Sequence, residues 1–209
     1  MPPFLYWLDL VGVVVFAVSG GLTAARKGLD PIGFLFVATV TGIGGGTLRD
    51  LLLGLTPVFW VEQEVYLWLT AGAALLVFVV ARHVERVQAA LLWADAIGLA
   101  TFAVIGAQTA LQAGAGPAVS VLMGTMTATF GGLIRDVACL EIPLILRREI
   151  YATAAASGAL VVVLAQLLAL PPIAGVTGGL AVAFATRAAG LLFGLSLPRV
   201  TLLPDDEGR

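Results

Sequence analysis

Charged residues inside the most apolar stretches of this 209-residue chain are the first candidates for function. They are two Arg-Asp pairs and two single acidic residues: Arg49-Asp50, Arg135-Asp136, Asp9 and Asp95. A charge in the middle of a membrane helix costs roughly 2.5–3.5 kcal/mol on insertion scales, so it is normally paired or faces water. Residues of these types at these positions therefore point to ion pairing or ion passage.

The partner of each arginine can be predicted from its depth in the membrane. Neighbours in sequence point about 100° apart on a helix, so Asp50 alone is not expected to neutralise Arg49. Asp9 and Arg49 lie at similar distances from the same end of their apolar segments, and Asp95 and Arg135 repeat that geometry. We predict the ion pairs Asp9–Arg49 and Asp95–Arg135, which leave the aspartate after each arginine free to face a pathway or cap a helix.

Glycine runs precede both Arg-Asp pairs: Gly44, Gly45 and Gly46 before the first, Gly131 and Gly132 before the second. A run without side chains favours a kink, and a broken membrane helix must turn its free carbonyl groups toward protein or water. The alternative is that the glycines only let two helices cross closely. Because the runs occur twice, each one turn before a charge pair, we favour kinked, pore-lining helices.

Threonines surround these glycines. Thr41 and Thr47 flank the first run, and Thr127 precedes the second. Their hydroxyl oxygens can contact a partly dehydrated cation, although a helical threonine can equally bond back to its own helix. With Phe130, which directly precedes Gly131, they complete the predicted pore-lining set.

The composition is that of an integral membrane protein. Hydrophobic residues make up 60% of the chain and charged residues 11%, at a mean hydropathy of +1.04, against about 25% charged residues in soluble domains. A formal net charge of −2 gives no basis for binding nucleic acid, and the lone Cys139 excludes an intrachain disulfide. The sequence shows no phosphate loop, nucleophile–base pair or metal-ligand spacing, so we expect neither an enzyme nor a bound cofactor or metal.

Seven stretches are long enough to cross a bilayer core of roughly 30 Å, which takes about 20 apolar residues. They lie near 4–24, 31–54, 65–82, 90–112, 117–138, 150–170 and 173–195. The first resembles a signal peptide only superficially, because no basic residue precedes it and Asp9 lies inside it. The sequence therefore predicts an all-α integral membrane fold in a single domain over 1–209.

The chain contains the same unit twice. Residues 9–57 align without a gap on 95–143, a shift of 86 residues, with 17 of 49 positions identical. Each unit holds three of the seven stretches; the repeats span about 4–82 and about 90–170, and the seventh helix (173–195) and a short tail (196–209) follow. Because three is odd, we predict that the two repeats are inverted relative to each other.

Basic residues outside the apolar stretches predict the orientation. Eight of them fall on one side: Arg26, Lys27, Arg82, Arg86, Arg147, Arg148, Arg199 and Arg209. The segments assigned to the other side contain none. We therefore expect the C-terminus in the cytoplasm and the N-terminus outside. Arg187, within the last stretch, is expected to snorkel toward the cytoplasmic face.

The motifs GGGTLRD at 44–50 and FGGLIRD at 130–136, followed by Pro57 and Pro143, resemble those of the prokaryotic trimeric intracellular cation (TRIC) channels. The resemblance covers nearly the whole chain. It implies a homotrimer in the prokaryotic inner membrane, with one pore per subunit lined by the second and fifth helices and passing monovalent cations such as K⁺. Membrane lipids are then further partners, but Leu51–Pro57 lacks the lysine that animal members carry in a stretch associated with phosphoinositide lipid.

Two functions fit these features. The first is a passive monovalent cation channel, which the hydroxyl and carbonyl lining favours. The second is a small secondary transporter with a midplane substrate site between inverted repeats. A structural oligomer without transport fits least well, because interior arginines are a costly way to build a scaffold.

Overall fold

The computed structural model describes residues 3–83, 87–147 and 149–197. Eight α-helices account for most of this part of the chain: α1 (Pro3–Arg26), α2 (Pro31–Leu53), α3 (Phe59–Glu62), α4 (Val65–Val80), α5 (Val87–Gln112), α6 (Pro117–Ala138), α7 (Ala152–Leu167) and α8 (Pro172–Phe193). A 3₁₀ turn follows α4 and another precedes α7. The described residues contain an isolated bridge between Glu149 and Ser196 but no β-strand. The predicted all-α membrane class is confirmed.

The starts and ends of the long helices follow from local sequence. Pro31, Pro117 and Pro172 each begin a helix, where the missing N–H group has no intrahelical partner to lose. The Asp30 carboxylate caps α2 by accepting from the Gly33 backbone N–H at 2.7 Å. The same helix ends at Gly54 with a φ of 68°, a left-handed conformation that glycine adopts without steric cost.

Five of the helices, α1, α2, α5, α6 and α8, are long and apolar enough to cross a membrane. The helices α4 and α7 have 16 residues each, about 24 Å at 1.5 Å per residue. They coincide with the predicted stretches 65–82 and 150–170 but are shorter than predicted. The short helix α3 lies between the predicted stretches 31–54 and 65–82.

The helices form two similar groups. In the first half α1 packs against α2 and α4, and in the second half α5 packs against α6 and α7. The halves meet where α1 crosses α5 and where α2 crosses α6, and α8 packs on α5 and α7.

Reciprocal contacts occur where α1 crosses α5. A Cβ atom on Gly12 would lie 3.3 Å from the Phe102 ring, and one on Gly98 would clash with the Phe16 ring. The centroids of the Phe16 and Phe102 rings lie 5.1 Å apart in the buried core. Gly98 and Phe102 are the residues that align with Gly12 and Phe16 after a shift of 86. Each half therefore supplies the same small and large pair to the contact.

Half of the basic residues that predict the orientation lie outside the described part of the chain. Arg86, Arg148, Arg199 and Arg209 lie outside the described residues, as do the side chain of Arg82 and residues 198–209 of the predicted tail.

Candidate functional site: two charge clusters at the ends of a helix crossing

Arg49 and Asp50, near the C-terminal end of α2, form an ion pair. Arg49 Nε donates to Asp50 Oδ1 at 2.8 Å, and Arg49 Nη2 lies 2.7 Å from the same oxygen. The second oxygen, Asp50 Oδ2, accepts from the Phe59 backbone N–H at 3.0 Å, which fixes the start of α3. The Arg49 guanidinium also lies 5.6 Å from the centroid of the Phe59 ring, within cation–π distance. Both charged side chains are buried.

Asp9 has a different partner from the one that the sequence predicted. The Tyr66 hydroxyl, on α4, donates to Asp9 Oδ2 at 2.6 Å. The predicted direct pair Asp9–Arg49 is therefore wrong: Arg49 folds back onto Asp50, and a tyrosine from the next membrane segment binds the Asp9 carboxylate. Depth in the membrane placed Asp9 and Arg49 near each other, but it carried no information about their directions around the helix axes.

A cavity of about 380 Å³ opens beside these residues. We call it the Asp9 cavity; its lining includes Tyr6, Asp9, Arg49, Asp50, Glu62, Gln63, Tyr66, Thr109 and Gln112. Asp9, Asp50 and Arg49 together carry a formal charge of −1, and the Glu62 carboxylate in the same lining adds one more negative charge. The cavity is large enough for several waters or a small solute.

The second charge cluster, which we call the Arg135 cluster, lies at the opposite end of the helices. Arg135 Nη1 donates to Asp95 Oδ1 at 2.6 Å, which confirms the predicted Asp95–Arg135 pair. Arg135 Nε donates to Asp136 Oδ1 at 2.8 Å, and Asp136 Oδ2 accepts from the Leu144 backbone N–H at 2.9 Å. The two contacts of Asp136, with Arg135 and with the Leu144 N–H, repeat almost atom for atom those of Asp50 with Arg49 and with the Phe59 N–H.

Arg135 has one further partner, which comes from the other half of the molecule. Its Nη1 donates to the Ser19 hydroxyl oxygen, on α1, at 2.5 Å. Ser19, Asp95 and Arg135 are all fully buried. Sequence analysis missed Ser19 because a serine in an apolar helix is unremarkable by itself.

Several polar atoms of the Arg135 cluster lack a hydrogen-bond partner among the described protein atoms. They are Asp95 Oδ2, Arg135 Nη2 and the Tyr151 hydroxyl, all buried. Two of these groups border the space next to Gly132, where a Cβ atom would lie 2.8 Å from the Tyr151 hydroxyl and 3.5 Å from Arg135 Nη2. This cluster is therefore less completely satisfied than its counterpart, although it is more deeply buried.

The glycine runs lie where α2 crosses α6. Both α2 and α6 continue as α-helix through them, and a bend at the glycines stays a prediction. A Cβ atom on Gly45 would clash with the Thr127 carbonyl oxygen, and one on Gly131 would clash with the Thr41 carbonyl oxygen. Gly131 and Thr127 align with Gly45 and Thr41 after the same shift of 86. The glycines thus let α2 and α6 touch backbone to backbone, the alternative that the sequence left open.

The other glycines of the runs also border neighbouring side chains. A Cβ on Gly44 would meet Ile134 at 2.8 Å, and one on Gly46 would meet the Phe59 ring at 2.7 Å. Phe130 is half-buried. The run therefore lies within packed surroundings on each side of the crossing.

The threonine hydroxyls donate back to their own helices. Thr41 Oγ1 donates to the Val37 carbonyl at 2.5 Å, and Thr127 Oγ1 donates to the Met123 carbonyl at 2.6 Å. Thr47 Oγ1 donates within α2 and accepts from Trp60 Nε1 at 2.9 Å. Thr41 and Thr127 are fully buried at the crossing.

Arg187 was expected to snorkel, and that expectation is wrong. The side chain is fully buried; its Nη2 donates to Glu149 Oε2 at 2.6 Å, and its guanidinium lies 5.1 Å from the centroid of the Tyr151 ring. Glu149, which binds it, precedes the predicted sixth stretch (150–170) by one residue. Arg187 thereby ties α8 to the same tyrosine that borders the Arg135 cluster.

Among the residues that the structure describes, no group of three His, Cys, Asp or Glu side chains is arranged to hold a metal ion. The aspartates within the membrane helices are instead paired with arginines: Arg49 with Asp50, and Arg135 with Asp95 and Asp136.

Comparison with known sequences places the chain among bacterial membrane proteins. The family described as "Glycine transporter" matches residues 6–82 and 92–166. The UPF0126 inner membrane protein YadS of Escherichia coli is 42% identical over 207 residues, which cover 98% of this chain and 99% of that protein.

Comparison with solved structures gives the fold. The TRIC trimeric intracellular cation channel orthologue from Rhodobacter sphaeroides is 48% identical, with a TM-score of 0.90, over 92% of this chain and 99% of that one. A second structure, described as the structural basis for conductance through TRIC cation channels, is 36% identical, with a TM-score of 0.86. The match covers 94% of this chain and 97% of that one. The fold is therefore that of the TRIC channels.

Proposed function

We propose that this chain, which belongs to the family described as "Glycine transporter" and has the fold of the TRIC channels, is a monovalent cation channel selective for K⁺ over Cl⁻. Each subunit has one path, which runs from the Asp9 cavity along the crossing of α2 and α6 to the Arg135 cluster. The observation that carries the proposal is the charge of the two clusters, since each combines two carboxylates with one guanidinium.

The excess negative charge explains a preference for cations. A net charge of −1 at each end of a path through a low-dielectric protein attracts cations and repels anions. The arginines keep each cluster from holding a cation too tightly to release it, as conduction requires. The charges also explain how the clusters are tolerated at membrane depth, because each arginine is paired with a carboxylate.

The lining of the open path consists of the glycine runs Gly44–Gly46 and Gly131–Gly132 with Thr41, Thr47, Thr127 and Phe130. Each threonine uses its hydrogen within its own helix and retains an oxygen lone pair for a passing cation. In the described conformation α2 and α6 touch at this crossing, so opening requires them to separate. The glycines let the two backbones slide apart without side chains that interlock.

The two halves are inverted repeats in this proposal. The reciprocal contacts support it: Gly45 faces Thr127 while Gly131 faces Thr41, and the same exchange occurs between α1 and α5. Such mutual contacts arise when two copies of one unit meet around a twofold axis. Seven membrane crossings follow if α4 and α7, together with their 3₁₀ turns, span a locally thinned bilayer. The subunits assemble as a homotrimer surrounded by membrane lipids.

The relatives include named inner membrane proteins, and the orientation proposed for this chain places the N-terminus outside. One end of the molecule is basic: Arg26 and Lys27 lie 2.7 and 3.2 Å from Glu141, and Arg147 lies 3.6 Å from it. By the positive-inside rule this end faces the cytoplasm, so the Asp9 cavity opens outside. In a C139A background, a cysteine at Glu62 should react with an impermeant maleimide applied to intact cells, and one at Arg147 should not.

A second candidate function is transport of a small zwitterion. The Asp9 cavity presents a carboxylate and a guanidinium together, which complement an ammonium and a carboxylate group, and the family description names glycine. Purified protein in planar bilayers distinguishes the two. A channel gives discrete current steps in KCl without an organic solute, whereas a transporter gives no steps and shows saturable uptake of labelled glycine into liposomes.

A further inference from the structure

We propose that the Asp9 cavity binds linear alkyl diammonium ions, and that a bound diammonium ion blocks the path to K⁺. One ammonium group lies at the Asp9 carboxylate, the alkyl chain lies along the aromatic part of the lining, and the second ammonium group lies near Glu62. The block rests on the proposed channel function, because the cavity is one end of the proposed path, whereas the binding does not.

The cavity has more negative charge than its own arginine balances. Its described lining contains three carboxylates and one guanidinium, those of Asp9, Asp50, Glu62 and Arg49. The guanidinium is already engaged, because it pairs with Asp50 and lies over the Phe59 ring. Two negative charges, on Asp9 and Glu62, are therefore left without a basic partner within the described part of the chain. This charge favours a dication over a neutral solute or a zwitterion.

Asp9 provides the deep anchor of the site. The residue lines the cavity although it is only 5% exposed. Its Oδ2 accepts from the Tyr66 hydroxyl at 2.6 Å, whereas its Oδ1 accepts from no described protein atom. This oxygen is not among the polar atoms that are both enclosed and unpaired, so it opens onto the cavity. A buried carboxylate oxygen needs a donor, and an ammonium group supplies both the donor and the opposite charge.

Aromatic rings form another part of the lining. Tyr6, Phe59 and Tyr66 border the cavity, and the Phe59 and Tyr66 rings pack edge to face with their centroids 4.6 Å apart. Such rings attract organic cations through their π electrons and also cover an alkyl chain. A divalent metal ion needs several oxygen ligands around one point, and no three acidic side chains among the described residues are arranged in that way. The lining therefore favours an organic dication, and about 380 Å³ is ample room for a four-carbon chain.

The second half of the molecule lacks this chemistry at the equivalent place. Leu144 corresponds to Phe59, because each donates its backbone N–H to the aspartate of the Arg-Asp pair in its own half. Two further pairs match in position: Arg147 with Glu62, three residues later, and Leu92 with Tyr6, after the shift of 86. Two aromatic rings and an acid are thus replaced by two leucines and a base. The diammonium site therefore belongs to the Asp9 end alone.

The first test is isothermal titration calorimetry of the purified protein in detergent micelles at neutral pH. The ligands are 1,4-diaminobutane, butylamine with the same chain and one charge, and glycine. We expect the diammonium ion to bind about two- to fivefold more tightly than butylammonium, because Glu62 is exposed and its charge is partly screened. Glycine should bind most weakly, because Arg49 is already paired. In E62Q the two amines should bind equally.

Matched variants test the anchor and the rings. D9N keeps the size of the side chain and should weaken diaminobutane binding about tenfold to a hundredfold, since it removes a charged hydrogen-bond partner. The control is D30N, because Asp30 caps the other end of α2 and asparagine caps equally well. Y6L should weaken binding several-fold. Its control is W7L, the next residue, whose side chain is largely exposed and does not line the cavity.

The second test is single-channel recording in planar bilayers with 1,4-diaminobutane added to one side and then to the other. Each channel should be blocked from one side only, because the Asp9 cavity lies at one end of the path. D9N should need a higher concentration for the same block, whereas D30N should behave like the wild type.

The outcomes separate the site from the channel function. Binding that D9N weakens and D30N leaves unchanged supports the site. Equal binding to the wild type and D9N, or tighter binding of glycine than of diaminobutane, overturns it. Discrete steps without diaminobutane binding overturn the site and leave the channel function standing. Binding to the wild type but not to D9N, with a silent bilayer, supports the site and overturns the channel function and the block.

Discussion

Substitution of Gly45 by alanine tests how the glycine runs work. The added Cβ would clash with the Thr127 carbonyl oxygen, a backbone atom that no rotamer change can move. The two helices would have to separate along their whole contact. Overpacking of a tight contact costs about 1–3 kcal/mol, and a clash against backbone should fall toward the upper end of that range.

The chain offers a matched control in Gly72. It also lies within a membrane helix, α4, but a Cβ there meets nothing within 4 Å. Alanine at this position should be neutral or should stabilise by up to about 1 kcal/mol, because it favours the helix. We therefore expect G45A to unfold roughly 2–4 kcal/mol more easily than G72A. G131A, which would meet the Thr41 carbonyl, should behave like G45A.

The assay is unfolding of purified protein in mixed micelles, followed by circular dichroism as denaturing detergent is added. Equal midpoints for G45A, G131A and G72A would refute the close-crossing explanation. If, in addition, G45A and G131A changed conductance while keeping full stability, the kink interpretation would be the better one.

Two further perturbations separate the roles of the clusters. D95N should destabilise the protein by roughly 1.5–3 kcal/mol in the same unfolding assay, because it removes one charged partner of the fully buried Arg135 while Asp136 still neutralises the guanidinium. D9N should cost only about 1 kcal/mol, because Tyr66 can still donate to the amide oxygen; equal effects would contradict this difference in pairing.

Prediction from sequence succeeded where a feature depends on composition or on the position along a helix. The predicted stretches that begin at 31 and 117 agree with the helix starts at Pro31 and Pro117, and proline is tolerated at a first helical position. The Asp95–Arg135 pair followed from depth, because few partners for an arginine exist at a given level of a membrane protein.

It failed where direction around a helix axis decides the contact. Asp9 is at the right depth for Arg49, but Tyr66 lies outside the gapless alignment and takes the carboxylate. One feature of the sequence distinguishes Ser19: it aligns with Ile105 in the second repeat, where the surrounding residues are otherwise similar. That signal becomes meaningful only when the structure shows Arg135 beside it.

The glycine runs show a different limit. Their sequence fits both a kink and a close crossing, since the same absence of a side chain permits both. The choice depends on what lies opposite each missing Cβ atom. For Gly45 and Gly131 it is the backbone of the partner helix, which no pattern within one helix can reveal.

The central claim is that cations pass between the two halves of each subunit. The most direct test is the reversal potential of purified protein in a planar bilayer with unequal KCl on the two sides. We predict discrete steps whose reversal potential lies near the K⁺ equilibrium potential. Steps that reverse near the Cl⁻ equilibrium potential, or a silent bilayer beside saturable glycine uptake in liposomes, would contradict the account.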